Sequence, residues 1–226
     1  MDLKNKIILI TGASRGIGAA TAALAAQEGA KVVVNYNKNK KEAEKVVQLI
    51  EKEDGEAIAL QADVANREES KRMIDEVIKK WGRIDVLINN AGVLAYKDFE
   101  ETSPQEIDWQ IDVNIRGLIH LTHIILPIMQ KQKDGVIVNI SSGAGRQGFP
   151  GYAVYCATKF AVLGFTQALA QEVEKDNIRI YAVCPGTTAT DMTGHAGMSA
   201  EKVARKIIEC VKEELGLSPG DDTEIY

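Results

Sequence analysis

Short runs of β-branched and leucine residues alternate with longer helical patterns along the whole chain. That alternation restricts the fold more than any other feature. KIILIT (6–11), KVVVNY (31–36), EAIALQADV (56–64), IDVLINNAG (84–92), GVIVNIS (135–141) and IRIYAVCPG (178–186) read as strands, and DDTEIY (221–226) as a short final one. AATAALAAQEG (19–29), KKEAEKVVQLIEKEDG (40–55) and REESKRMIDEVIKKWG (67–82) read as helices. Long helices near 104–131 and 152–175 follow, and a last one covers 200–215. Gly29 and Gly55 are placed at the ends of the first two helices. Strands this apolar, separated by helices, require a parallel sheet covered on both faces. The expectation is an α/β, doubly wound parallel sheet of about six to seven strands. In such sheets ligands bind in the crevice beyond the carboxyl ends of the strands.

Composition narrows the function classes. A chain of 226 residues, 45% hydrophobic, supports one core, so residues 1–226 are expected to form a single domain. The net charge of -5, with no basic block, gives nucleic acid nothing to bind. No uninterrupted apolar run of about 18 residues stands out, so no membrane partner is expected. Cys156, Cys184 and Cys210 lie far apart, without metal or redox spacing, so no metal is expected. An unpaired set of thiols and a start without a secretory pattern lead to a cytoplasmic expectation.

The strand ends carry the chemistry. After the first strand, Gly12, Gly16 and Gly18 stand in TGASRGIG, with Ser14, Arg15 and Ile17 between them. Glycines here let backbone approach a pyrophosphate at a helix N-terminus, although the spacing GxxxGxG also suits a tight structural turn. The second strand ends in Tyr36-Asn37-Lys38 without an acid, and Arg15 supplies a guanidinium nearby. That balance favours the 2′-phosphate of NADP(H), with NAD(H) as the alternative, although Arg15 also fits a solvated surface charge. Asp63, before Val64, suits either an adenine amino group or a helix cap. Asn90 suits either a close pass beside a flat ligand or a plain turn held by its side chain.

Behind the fifth strand, Ser142 precedes Tyr155 by thirteen residues and Lys159 by seventeen. Tyr155 and Lys159 share a helical face at i and i+4. A lysine beside a phenol is expected to pull its pKa down from about 10, toward acid/base work on an alcohol–ketone pair. A serine hydroxyl there would bond the oxygen on which charge develops.

Together TGASRGIG, NNAG, Asn114 in DVNIRG, ISS, YCATK and CPGTTATDM resemble the short-chain dehydrogenase/reductase family, in its order and spacing, from about residue 5 to residue 192. The resemblance implies a Rossmann fold and a catalytic tetrad of Asn114, Ser142, Tyr155 and Lys159, with Asn114 holding a relay water. It implies cofactor contacts from Gly12, Ser14, Arg15, Gly16, Ile17, Gly18, Tyr36, Asn37, Asp63, Val64 and Asn90. Tyr155, Lys159, Pro185, Gly186, Thr188 and Thr190 complete that set. Ser142, Phe149, Tyr152 and Tyr155 would meet substrate. Residues 187–200 would form a short substrate-covering segment, and His195 within it reads as a surface histidine.

The subgroup most similar is the 3-oxoacyl-[acyl-carrier-protein] reductases, which implies a ketone or acyl thioester substrate. The tail is shorter than theirs, which favours a homodimer over a tetramer. A dehydrogenase of a small hydroxy acid, sugar or other ketone is the alternative enzyme. A non-catalytic dinucleotide sensor is the alternative of another class.

Overall fold

The computed structural model describes residues 1–225, so Tyr226 of the expected last strand lies outside the described residues. Seven strands form one parallel sheet: β1 (Ile7–Ile10), β2 (Lys31–Tyr36), β3 (Glu56–Gln61), β4 (Val86–Asn89), β5 (Gly135–Ile140), β6 (Ile178–Pro185) and β7 (Asp222–Ile225). Their order is β3-β2-β1-β4-β5-β6-β7. The chain leaves β1 toward one edge and returns at β4 to fill the other. The crevice between the carboxyl ends of β1 and β4 is therefore the switch point where such sheets hold ligands.

Side-chain alternation divides the core in two. Ile8, Ile10, Val32, Val34, Val86 and Ile88 face α1 (Gly16–Gln27), α2 (Lys40–Lys52) and α7 (Ala200–Val211). Leu9, Val33, Leu87, Ile137 and Ile180 face α3 (Arg67–Trp81), α5 (Leu118–Gln132) and α6 (Ala153–Val173). Both faces of each central strand are dry, which is why these strands read as continuous apolar runs.

Polar side chains are threaded through the second layer. Asn89 donates to Asn139 Oδ1 (2.9 Å) and to Thr122 Oγ1 (3.1 Å), and Asn139 donates to Thr166 Oγ1 (2.9 Å). This buried ladder ties β4 and β5 to α5 and α6.

Several boundaries move. Helix α1 starts at Gly16, not 19, so two glycines of the loop lie in its first turn. Gly29 does take a left-handed turn (φ 84°) behind α1. Behind α2 it is Asp54 (φ 60°), not Gly55, that does so; Gly55 stays because a Cβ would meet Ile50 at 2.7 Å. Helix α7 ends at Val211, where Glu213 adopts φ 63°. The long helix over 104–131 is real but not regular. It runs as α4 (Pro104–Ile111) and α5, joined by a π-helical turn over Asp112–Gly117.

Two helical stretches, Pro104–Gln132 and Ala153–Asp176, are by length and hydropathy apolar enough to cross a membrane, although scattered polar residues interrupt both. Both lie against the sheet and bury one face in the second core layer.

Candidate active site

The glycine loop is held from behind. Asn90, just past β4, donates through Nδ2 to the carbonyls of Thr11 (2.8 Å) and Gly12 (3.2 Å). The Thr11 hydroxyl accepts from the N–H groups of Asn90 and Ala91, both at 2.9 Å. Side-chain bonding by Asn90 therefore clasps the loop to the β4 end. Gly12 and Gly16 adopt φ 61° and 56°, a region that disfavours other residues. A Cβ on Gly12 would sit 3.0 Å from the Ala91 Cα; one on Gly18 would meet Asn90 Nδ2 and the Gly12 carbonyl at 2.6 Å. Gly18 thus keeps α1 close to the sheet, while Gly12 and Gly16 shape the loop.

Helices α3, α4 and α7 begin with side-chain caps from Asn66, Ser103 and Ser199. Helix α1, like α2, α5 and α6, has none; it begins at the glycine loop, and its first turn holds no acid. Its N–H groups at the crevice are left for a ligand, and Ser14, Arg15 and Ile17 line the same turn. This combination fits an anion such as a pyrophosphate.

On the other side of the crevice, β5 ends in two serines with separate tasks. Ser141 is buried and donates to the Lys159 carbonyl (2.9 Å), fastening β5 to α6. Ser142 accepts from the Ala144 N–H (3.1 Å) and reaches the Tyr155 hydroxyl. Lys159 is only 4% exposed; its Nζ donates to the Ile140 carbonyl (2.9 Å) and lies 5.6 Å from the Tyr155 ring centre. Asn114 sits in the π-helical turn, a frequent irregularity at functional sites. Its Nδ2 donates to the Val93 carbonyl (2.9 Å) and to Thr158 Oγ1 (3.1 Å), and its Oδ1 accepts from the Val93 N–H (2.8 Å). Both amide hydrogens are therefore spent on protein, pinning the loop after β4 to α6.

The electrostatics differ from expectation. Burial pushes the Tyr155 phenol up to about 12, and the Ser142 hydroxyl only partly opposes it. Lys159 does not pull the phenol down here. Its own burial lowers its pKa to about 8, and its ammonium is turned to a backbone carbonyl. At neutral pH the site presents a neutral phenol next to a buried ammonium.

The outer wall is aromatic. Tyr152 packs against Tyr155 (6.2 Å between ring centres), Tyr96 (4.8 Å) and Phe149 (6.4 Å). Gly151 (φ 76°) leaves room for the Tyr96 ring, which a Cβ would meet at 2.5 Å. Arg146 anchors the start of this wall: its guanidinium bonds Asp222 and lies 3.2 Å from Glu224, both on β7.

Residues 187–198 fold into a small closed loop. Ala189 donates to the Met198 carbonyl (2.7 Å), and Met198 donates to that of Thr187 (3.0 Å). Thr188 is buried, with its hydroxyl on the Gly186 carbonyl (3.0 Å); Gly186 itself donates to the Ile225 carbonyl (2.9 Å), next to Pro185 at the β6 end.

A profile of the short chain dehydrogenase family matches residues 6–200. The chain belongs to this family. It is 44% identical over 207 residues to the 3-oxoacyl-[acyl-carrier-protein] reductase of Synechocystis sp., covering 91% of this chain and 82% of that one. It is 43% identical over 189 residues to 3-oxoacyl-[acyl-carrier-protein] reductase FabG of Staphylococcus epidermidis, covering 84% and 78%. Among solved structures it is similar to levodione reductase (TM-score 0.93, 25% identity, 99% and 96% covered). It is also similar to a Serratia marcescens short-chain dehydrogenase/reductase variant (TM-score 0.93, 28% identity, 100% and 98% covered). This short-chain dehydrogenase is an oxidoreductase acting between CH–OH and C=O, with a nicotinamide dinucleotide as redox partner.

Not every expected residue of the dehydrogenase faces the crevice. The Tyr36 ring is buried in the first core layer, because β2 points that side chain at the α1 and α2 face; exposed Asn37 is left at the strand end. Asp63 does not cap α3, since Asn66 does, accepting from the N–H groups of Glu68 and Glu69. Asp63 instead accepts from the Ala65 N–H (3.0 Å). Val64 is buried, and its carbonyl lies where a Cβ on Gly117 would come within 2.9 Å. Thr190 packs on Gly16, and His195 is 73% exposed in the covering loop. Sequence reasoning missed Tyr96, a lone aromatic in a coil with no periodic pattern. Among the described residues no group of three or more His, Cys, Asp or Glu side chains could hold a metal ion.

Proposed function

We propose that this chain is an NADP(H)-dependent reductase of the 3-oxoacyl-[acyl-carrier-protein] type, reducing a ketone carried on an acyl thioester. The observation that carries the proposal is the neutral Tyr155 phenol hydrogen-bonded to Ser142 beside buried Lys159, across the crevice from an uncapped glycine loop. The names of the relatives favour that substrate class, and Arg15 with no acid behind β2 favours NADP(H) over NAD(H).

In this reading Gly12, Ser14, Arg15, Gly16, Ile17 and Gly18 hold the phosphates, and Asn37, Asp63, Val64 and Asn90 lie along the adenosine side. Pro185, Gly186, Thr188 and Thr190 edge the nicotinamide end; Tyr36 contributes through its backbone at the strand end. The nicotinamide, when bound, supplies or accepts the hydride. The Ser142 hydroxyl holds the substrate oxygen next to the Tyr155 phenol. Tyr155 gives that oxygen its proton during reduction and would take it back in the reverse direction. Lys159 keeps positive charge below the phenol as its proton leaves. Asn114 is a positioning residue, with little of its side chain left to hold a relay water.

The exposed aromatic wall of Tyr96, Phe149 and Tyr152 suits the apolar part of a substrate. It also fits the second reading, a dehydrogenase of some other ketone, because the covering loop over 187–200 is small. Residues 1–226 act as one domain in either reading. Trp109, Ile111, Ile119 and Phe160 expose apolar surface along α4 to α6, which supports a homodimer through that face. The three free thiols suit a reducing, cytoplasmic setting.

The test is NADPH oxidation with an acetoacetyl thioester and a panel of ketones, comparing wild type with Tyr155→Phe. Turnover of the thioester in wild type, lost by a factor of at least about 100 in the variant while NADPH still binds, is the expected result. Turnover of other ketones alone selects the second reading. NADPH binding without any turnover in wild type selects a non-catalytic sensor.

A further inference from the structure

Arg15 is the residue on which the nucleotide preference rests, and it already has a partner. Its Nη1 lies 2.7 Å from Oδ2 of Asp191, at the head of the covering loop. The other oxygen of Asp191 lies 3.3 Å from His195 Nε2. One residue along, Gly16 is packed so closely by Thr190 that a Cβ would meet its Cγ2 at 3.1 Å. The glycine loop and the covering loop therefore meet at two adjacent points, one ionic and one steric. The covering loop is closed on itself by the Thr187, Ala189 and Met198 backbone bonds, and the Thr193 hydroxyl donates to the Thr188 carbonyl inside it. A loop braced in this way responds as a unit to a change at Asp191.

We propose that Asp191 sets the nucleotide preference by competing with the 2′-phosphate for Arg15, and that this competition links NADP(H) binding to the covering loop. The inference rests on the reading of the glycine loop as the dinucleotide site. Both partners of the pair are more than half exposed, at 61% and 51%, so the pair is weak and exchangeable. A phosphate monoester carries more charge than a carboxylate and accepts two parallel N–H bonds from a guanidinium, so it displaces Asp191. The displaced carboxylate keeps His195 as its other partner. A nucleotide without the 2′-phosphate leaves the pair intact. NADPH therefore binds more weakly than Arg15 alone would allow, and the covering loop loses one tie whenever it does bind.

The experiment titrates the full chain with NADPH and with NADH by nucleotide fluorescence, for wild type, Asp191→Asn, Arg15→Ala and the double variant. The expected result is a two- to fivefold gain, roughly, in NADPH affinity relative to NADH in Asp191→Asn. In the Arg15→Ala background the same substitution should have no such effect. Hydrogen exchange of residues 189–198 should rise with 2′-phospho-ADP-ribose over ADP-ribose in wild type, and the difference should vanish in Asp191→Asn. An unchanged NADPH/NADH ratio in Asp191→Asn, with both nucleotides bound, overturns the inference. So does a gain that persists without Arg15, which would be general charge repulsion. Binding of neither nucleotide to wild type would overturn the dinucleotide reading and this inference with it.

Discussion

Replacing Lys159 with methionine should make the protein more stable while removing its activity. The ammonium is buried, and burial lowers its pKa from 10.5 to about 8. At about 1.4 kcal/mol per pH unit, that difference corresponds to about 3 kcal/mol of stability withheld wherever lysine is charged in both folded and unfolded chains. Methionine has nearly the same length and no charge to desolvate. It does forfeit the bond from Nζ to the Ile140 carbonyl, a loss of about 1–2 kcal/mol. The net gain at pH 7 is about 1–2 kcal/mol, or about 3–6 °C in Tm for a chain of this length. The pH dependence has a definite sign. Between about pH 8 and 10.5 the folded lysine has shed its proton and the unfolded one has not. The unfolded state then binds more protons, so wild-type stability rises with pH relative to the variant. Paired thermal melts at pH 7 and pH 9.5 measure this, because other groups titrate alike in both proteins. A gap that keeps its size at both pH values, or a variant less stable than wild type at pH 7, would refute the burial argument.

Other outcomes follow from the same geometry. Asn139→Ala removes a partner from both Asn89 and Thr166 in the buried ladder; a loss of about 2–3 kcal/mol is expected, and a Tm within 2 °C of wild type would contradict it. Carbonyl reduction should fall as pH rises through about 8, where Lys159 loses its charge, because Tyr155 at about 12 keeps its proton; kcat/KM flat from pH 7 to 9.5 would count against this. Tyr96→Ala should raise KM for ketones with bulky apolar groups by about three- to tenfold and leave kcat nearly unchanged. Equal KM for bulky and small ketones in that variant would remove Tyr96 from the substrate wall.

The sheet was legible because its strands are buried on both faces, which leaves an unbroken apolar signature such as VVV at 32–34. Ser142, Tyr155 and Lys159 were legible through spacing, Asn114 only through the family resemblance, and the structure brings the first three together at the end of β5. What spacing could not show was direction. Tyr36 follows the strand's alternation into the core, although its position at the strand end had suggested a nucleotide contact. The π-helical turn under Asn114 leaves no mark in DVNIRG; the groups that meet it, the Val93 backbone at Asn114 and Val64 beside Gly117, come from elsewhere in the chain. The pKa of Tyr155 was expected to fall by proximity to Lys159, but burial of both groups, a tertiary property, reverses it. The cap of α3 passed from Asp63 to Asn66, three residues on, because Asp63 is spent on its own turn.

The grip of Arg146 on β7 spans 76 residues, and that distance has a kinetic meaning. The aromatic wall beside Tyr155 leans on a strand that is made long after the wall itself. While the ribosome is still extending the chain through β6, Arg146 has no Asp222 to hold. This tie at the edge of the site therefore forms only once β7 is in place. Weakening it with Asp222→Asn would slow the appearance of activity during refolding more than the return of helical signal. The enzyme would regain its secondary structure before it regains its shape at the point of chemistry.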